Sequence, residues 1–369
     1  MLKCARTGFS FHFHHIYIPD AEPTRGLILK RRADPMLAAR FYGIGDIRVM
    51  PIAPPSGLQE GFVRIRIEAA GICGSDLHNF RTGQWLSRCP VTPGHEFAGI
   101  VTETCGDCAG LAPGDHVVAD SRVGCGSCAS CHSGQPNLCR KLGFVGEVCD
   151  GGFAQEAVLP ATQLLPLPPD MPLRHGALVE PLSVALHAVH RLAPTPGARV
   201  VVCGGGTIGG LAALILRERG HKVSLLERNA ARQALLEAHL GTRPLSPDTE
   251  SWNTRFILDA TGAAPVIELA CERIAPGGRL VFAGLFHQKP KIDFNRVVEN
   301  ETELFGVSAF ANEMPQAIAF LPSIAPKLDA LISSPTPLQD LPQRYDALLA
   351  GMEVRLKTLI TPNGMSDAW

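Results

Sequence analysis

The stretch Arg199 to Gly210 constrains the fold of this chain more than any other. It reads Arg199-Val200-Val201-Val202-Cys203-Gly204-Gly205-Gly206-Thr207-Ile208-Gly209-Gly210, then Leu211 to Arg219. That is a short β-branched strand running into G-x-G-x-x-G and then into a helical run. Gly204 allows a tight turn, Gly206 lets a pyrophosphate approach the backbone, and Gly209 lets helix and strand pack closely. The helix N-terminus, at Thr207 and Ile208, offers N–H groups to phosphates. Such a motif is weak alone, but here an acid follows it. Glu227 ends the next apolar strand, Val223-Ser224-Leu225-Leu226. A carboxylate there binds ribose hydroxyls and repels a 2′-phosphate, which favours NAD over NADP. Arg228 is adjacent and Arg232 follows, and either softens that preference.

The same alternation continues through Ala230–Leu240, Phe256–Asp259, Pro265–Ile274 and Arg279–Phe282. Strand and helix in turn predict a doubly wound parallel sheet over residues 186–325. Residues 36–185 have another texture. Val63-Arg64-Ile65-Arg66-Ile67 alternates apolar and charged, and short apolar runs (Phe97–Val101, His116–Ala119) sit between glycine and proline breaks. This predicts a mostly antiparallel β domain. Residues 326–369 are mixed and are expected to return to that first domain. Residues 1–35, with Phe11-His12-Phe13-His14-His15, are expected to form a flexible N-terminal extension. A length of 369 residues suits about two domains.

Composition excludes several classes. Lys+Arg 34 against Asp+Glu 35 leaves no basic excess to hold nucleic acid or an anionic membrane. A hydrophobic fraction of 46% excludes disorder as the dominant state. The longest uncharged run, Val200–Leu216, is glycine-broken and shorter than the roughly 20 residues of a spanning helix. No clear signal peptide precedes the body, so the twelve cysteines point to metal or redox chemistry rather than disulfides, in a cytoplasmic setting.

Four of those cysteines are patterned. Cys125, Cys128, Cys131 and Cys139 give C-x2-C-x2-C-x7-C, which lets one loop wrap a tetrahedral zinc ion. Four thiolates leave no open position, so the site is expected to be structural. An iron–sulfur cluster, a redox pair and a disulfide knot are the alternatives. Cys105 and Cys108 also form a C-x-x-C, but no second pair or βαβ context surrounds them, and they are expected to be incidental. A second set is spread out: Gly71-Ile72-Cys73-Gly74-Ser75-Asp76-Leu77-His78, then Pro93-Gly94-His95-Glu96, then Glu180-Pro181. A thiol, an imidazole and a carboxylate suit a catalytic zinc that keeps one open position.

Taken in order, these motifs resemble the zinc-dependent medium-chain dehydrogenase/reductase family, within the alcohol dehydrogenase superfamily. The matching text is Gly71–His78, Gly94-His95-Glu96, the four-cysteine lobe, Asp150-Gly151-Gly152-Phe153-Ala154 and Glu180–Ala185, and it covers roughly residues 36–362. The branch it is most similar to is that of the sorbitol (polyol) and L-idonate dehydrogenases. The resemblance implies an α/β chain, with a doubly wound parallel Rossmann sheet and a mostly antiparallel GroES-like catalytic domain. It implies two zinc ions per chain and NAD. Cys73 and His95 would ligate the catalytic zinc, with Glu96 or Glu180 as the carboxylate, and Asp76 would orient His95. Ser75 would take the substrate proton and His78 would pass it on. Asn79, Phe80, Trp85 and Phe153 are candidates to shape the substrate pocket. The substrate is then a small secondary alcohol, a polyol or sugar acid, oxidised to a ketone. A homodimer or homotetramer follows from the same likeness, with Leu304–Phe310 as the strand that would extend across it. Gly241–Asn253 is short for the family, which implies a trimmed helix there. Plain alcohol, butanediol and threonine dehydrogenases share this machinery. A non-catalytic nucleotide-binding protein would need a missing ligand, and none is missing.

Overall fold

The computed structural model describes residues 34–249, 252–286 and 288–369. The histidine-rich expectation for the N-terminus therefore lies outside the described residues, apart from Asp34 and Pro35.

The chain opens with β1 (Met36–Gly43), β2 (Asp46–Ile52) and β3 (Phe62–Gly71), then α1 (Gly74–Thr82). Next come β4 (Glu96–Cys105), β5 (His116–Ala119), β6 (Arg122–Val123), α2 (Ala129–His132) and β7 (Gly143–Phe144). β8 (Glu156–Pro160), β9 (Leu164–Pro166), α3 (Leu173–Gly176) and α4 (Val179–Leu192) complete this part. The β3 sequence alternates, and its burial alternates with it: Val63, Ile65 and Ile67 are buried while Arg64 and Arg66 are not. β3 pairs antiparallel with β4 on one side and with β8 and the last strand of the chain on the other.

The second part holds β10 (Arg199–Cys203), α5 (Thr207–Glu218), β11 (Lys222–Leu226), α6 (Ala230–Leu240) and β12 (Arg243–Pro244). It continues with β13 (Phe256–Asp259), α7 (Ala264–Arg273), β14 (Arg279–Phe282), α8 (Phe294–Glu299), β15 (Glu303–Gly306) and α9 (Met314–Leu331). Its sheet order is β12-β11-β10-β13-β14-β15, all parallel. Two mononucleotide-binding halves thus diverge from β10, which puts a crevice at the carboxyl ends of β10 and β13. Among the described residues no helix lies between β12 and β13, as the short Gly241–Asn253 segment implied.

Both expected domain boundaries fall inside helices. α4 runs through 185 and α9 runs through 325. Apolar periodicity does not change at those points, because each helix buries one face in the same core. After α9 the chain crosses back as β16 (Thr336–Pro337), α10 (Leu341–Leu349) and β17 (Leu359–Thr361), and β17 joins β3. α4 packs at the seam between the two sheets. Its fully buried Leu182 and Leu186 each contribute roughly 1.5–3 kcal/mol. Its first turn is thereby fixed beside β4.

Candidate active site

Strand pairing creates the site. Gly71 lies opposite Glu96 across β3 and β4, so residues just past one strand meet residues just before the other. Cys73 caps α1 in extended backbone (φ −95°, ψ 157°), and its N–H donates to Asp76 Oδ2 at 2.8 Å. The reciprocal cap satisfies exposed helix donors and fixes the direction of Cys73 Sγ. His95 follows Gly94, whose φ of +97° suits glycine, and a Cβ there would strike the Phe153 ring at 3.0 Å. Cys73, His95 and Glu96 each present a ligand atom, all within 4.8 Å of one another. His95 Nε2 lies 3.4 Å from Ser75 Oγ, and Nδ1 lies 3.8 Å from Asp76 Oδ1. One ring nitrogen thus faces the cluster and the other faces a carboxylate.

Two further groups complete it. Lys357, two residues before β17 begins, reaches back to Glu96 with Nζ–O distances of 2.6 and 2.8 Å and also donates to the Ile72 carbonyl at 3.0 Å. Both side chains are at most 2% exposed. Glu180, in the first turn of α4, is buried and accepts no hydrogen bond among the described residues. Burial pushes its carboxyl up to about 7, with Glu96 adding to the rise. Burial likewise raises Asp76, and takes Glu147 up to about 7. For His95 burial opposes the imidazolium, but Cys73, Asp76 and Glu180 outweigh it and hold the pKa well above its ordinary value. Lys357 is the ammonium paired within this crowd of acids, through Glu96. Buried anions with so little compensation fit a divalent cation, and thiolate, imidazole and carboxylate donors fit zinc.

The four-cysteine loop gathers as its spacing suggested. Cys125, Cys128, Cys131 and Cys139 offer sulfurs all within 4.8 Å of one another. Backbone N–H groups of Cys125 and Lys141 point at Cys139 Sγ, at 3.4 and 3.3 Å. The N–H and hydroxyl of Ser127 hold the Cys125 thiol down to about 6. These donors favour thiolate, the form that binds metal. The lobe is anchored across the seam. Arg122 donates to the carbonyls of Phe310 and Ala311, both at 2.7 Å, and Asn137 and Ser308 exchange two hydrogen bonds. Cys105 and Cys108 lie apart from both sets, with Cys108 Sγ turned to the carbonyls of Phe62 and Cys105.

At the β10–α5 turn, Gly204 has φ +89°, and a Cβ on Gly209 would meet the Gly204 carbonyl at 1.8 Å. Only glycine permits that helix–strand approach. Thr207 and Ile208 begin α5, and the Thr207 hydroxyl donates to the Leu356 carbonyl at 2.5 Å. Gly206 caps the helix in extended backbone. Glu227 accepts from the N–H groups of Gly205 and Asn229, both at 2.7 Å, which aims it at the turn. Arg232 donates to the carbonyls of Glu353 and Val354 and stands 3.6 Å from Glu227.

The candidate pocket residues separate. Trp85 is half-buried and stacks on His78 (centroids 4.3 Å), whose Nε2 is 2.8 Å from Gln84 Oε1. Phe153 is fully buried and Phe80 stacks on the buried Tyr345 at 5.4 Å. Phe153 lies in the core with its ring against Gly94, while Phe80 is partly buried. Sequence reading missed Lys357 and Glu147. Lys357 is 261 residues from Glu96 and sits in a tail with no motif. Glu147 is a single acid in a loop.

Comparison with known proteins agrees with this architecture. Residues 59–169 match the alcohol dehydrogenase GroES-like domain, and residues 207–323 match the zinc-binding dehydrogenase family. The chain is 32% identical to 2-dehydro-3-deoxy-L-galactonate 5-dehydrogenase of Pseudoalteromonas atlantica, covering 89% of this chain and 99% of that protein. It is 31% identical to D-altritol 5-dehydrogenase of Agrobacterium fabrum, over 79% of this chain and 90% of that one. Galactitol-1-phosphate dehydrogenase from Escherichia coli superposes with a TM-score of 0.82 at 27% identity, covering 89% of this chain and all of that one. A zinc-binding dehydrogenase from Sinorhizobium meliloti, solved with NADP, gives 0.81 at 28% identity, with 89% and 100% covered. With a GroES-like antiparallel sheet, a six-stranded Rossmann sheet and these relatives, the chain belongs to the zinc-dependent medium-chain dehydrogenase/reductase family, among the alcohol and polyol dehydrogenases.

Proposed function

We propose that this chain oxidises a secondary alcohol of a polyol or sugar acid to a ketone with NAD, at a zinc site held by Cys73, His95 and Glu96. The observation that carries this is the gathering of those three donors within 4.8 Å, beside the Ser75 hydroxyl. Glu180, which accepts no hydrogen bond among the described residues, would serve as a further, exchangeable carboxylate beside those donors. Zinc bound there supplies a Lewis acid that makes the alcohol hydroxyl more acidic. The nicotinamide supplies the hydride acceptor. Ser75 takes the hydroxyl proton. His78, one turn along α1, leads it outward past Gln84 and Trp85. Asp76 fixes the His95 ring by facing Nδ1. Cys125, Cys128, Cys131 and Cys139 hold a second, structural zinc. Gly204, Gly206, Thr207, Ile208 and Gly209 take the pyrophosphate, and Glu227 takes the ribose. Arg232 is spent on backbone carbonyls and on Glu227, which supports NAD over NADP.

A spectrophotometric screen of NAD reduction over polyols and sugar acids, paired with metal analysis, tests this. Two zinc ions per chain and chelator-sensitive turnover are expected. Undiminished turnover after zinc removal would refute it. The same screen with butanediol and threonine separates the neighbouring activities. A homodimer or homotetramer belongs to this reading, and size-exclusion chromatography checks it. Its support is the open edge strand β15 with exposed Phe294 and Val298 beside it. A cytoplasmic location belongs here too, supported by the free state of every described cysteine. Among the described residues no helix is long and apolar enough to cross a membrane.

A further inference from the structure

One acid beside the reacting centre has no part in the proton path or the ligand set. Glu147 follows β7, whose Phe144 ring lies 5.8 Å from the His95 ring. Its backbone carbonyl accepts from the Ser87 N–H at 3.2 Å and from the Ser87 hydroxyl at 3.3 Å, which pins the loop over α1. The residue is 7% exposed. Its Oε1 accepts from Asn79 Nδ2 at 3.1 Å. Asn79 is itself oriented, because its Oδ1 accepts from the Trp85 N–H at 3.1 Å, so the amide presents its donor side to Glu147. Glu147 Oε2 accepts no hydrogen bond among the described residues, yet it is not sealed from solvent. Oε1 is thus committed to Asn79, while Oε2 is left to take a hydroxyl donor from water or substrate. The Asn79 bond holds it against α1, the helix that carries Ser75 and Asp76, and Phe144 ties its loop to His95. Among the described residues no lysine or arginine is bonded to Glu147: Lys357 is committed to Glu96, while Arg40 and Arg88 both turn to Asp150.

We propose that the Glu147–Asn79 pair selects an uncharged polyol as the substrate. Glu147 Oε2 accepts a hydrogen bond from a hydroxyl on the substrate chain, and the acceptor-only pairing offers no donor or cation to the carboxylate of a sugar acid or the phosphate of a sugar phosphate. This rests on the secondary-alcohol dehydrogenase reading above and narrows it. A hydroxyl supplies the donor that Oε2 lacks. An anion placed there meets Glu147, Glu180 and Asp76 with no arginine to receive it, whereas anion sites are built from Arg and Lys forks.

The test compares kcat/KM for alditols, aldonates of matching configuration and the terminal phosphates, in the zinc-loaded wild type and in Glu147→Gln. The wild type should prefer the alditol by about 100-fold or more, the range a polar pocket contact commands. Glu147→Gln should keep its zinc content and shrink that preference about tenfold, chiefly through KM for the anionic substrates. A purely structural role for Glu147 would lower all three substrates together and leave the ratio unmoved, which overturns the proposal. Wild-type turnover of aldonates or phosphates equal to that of alditols also overturns it, while leaving the dehydrogenase reading intact. If no secondary alcohol of any class reduces NAD although NAD binds, the dehydrogenase reading fails and this proposal falls with it.

Discussion

Replacing Lys357 by methionine isolates what one distant side chain does for the cluster of donors at Cys73, His95 and Glu96. Lys357 Nζ lies 2.6 and 2.8 Å from the two Glu96 oxygens, and neither side chain is more than 2% exposed. At an effective dielectric of about 20, opposite charges at that separation attract by about 6 kcal/mol. Desolvating both ions costs several kcal/mol each, so the intact pair is close to neutral for stability. Removing one partner is different, because Glu96 is then buried beside Cys73, Asp76 and Glu180 with only the His95 imidazolium to balance them. That costs about 3–5 kcal/mol. At about 2–4 °C per kcal/mol the melting temperature of the metal-free protein should fall by roughly 10 °C. Lys357→Met combined with Glu96→Gln should recover at least half of the loss, a coupling of about 2 kcal/mol in a double-mutant cycle. Zinc held by those donors would supply positive charge, so the single variant should lose less stability when loaded than when stripped. Thermal melts with chelator and with zinc, on wild type, both singles and the double, read every term. Strict additivity of the two substitutions, or equal losses with and without zinc, would refute the electrostatic account.

Cys125→Ser or Cys131→Ser should remove one zinc per chain by metal analysis, and faster limited proteolysis between residues 122 and 144 should report the loosened lobe. Glu227→Ala should raise the KM for NAD about tenfold, the loss of about 1.4 kcal/mol, and narrow the preference over NADP; an unchanged coenzyme ratio would count against its role at the ribose. Glu313 offers a pH test. Burial opposes its ionisation, but hydrogen bonds from His187 and His190 hold its carboxyl well below the usual carboxylate range. Its contribution is therefore present above the unfolded value near about 4.3 and is lost as pH falls below it. The melting-temperature gap between wild type and Glu313→Gln should be widest near neutrality, about 1 kcal/mol after solvent screening, and should close towards pH 3.

Much of this protein is local and was open to reading from the sequence. Glycines at Gly204 and Gly209 leave only one way for a strand to enter a helix, and the parallel sheet around β10 follows from that alternation. The cysteine loop is equally local, since four thiols within fifteen residues meet whatever the rest of the chain does. The α6, β13 and β14 spans came out residue for residue, because period and flanking breaks mark them. Boundaries at 185 and 325 did not, because α4 and α9 serve one core without interruption. Cys73, His95 and Glu96 were visible as a set only through their order, and the pairing of β3 with β4 is what brings them together.

Tertiary structure decided everything that depends on contacts distant in sequence. Lys357 reaches Glu96 because β17 returns to β3, and no local pattern marks a lysine for that. Glu147 comes to lie beside Asn79 because the loop after β7 folds over α1. Phe153, adjacent to a recognisable glycine pair, proved to lie beneath Gly94 in the core. Motif chemistry fixes which groups a zinc dehydrogenase carries. The charge around them, and with it the choice of substrate, arises only where separate strands converge on one buried, low-dielectric cleft.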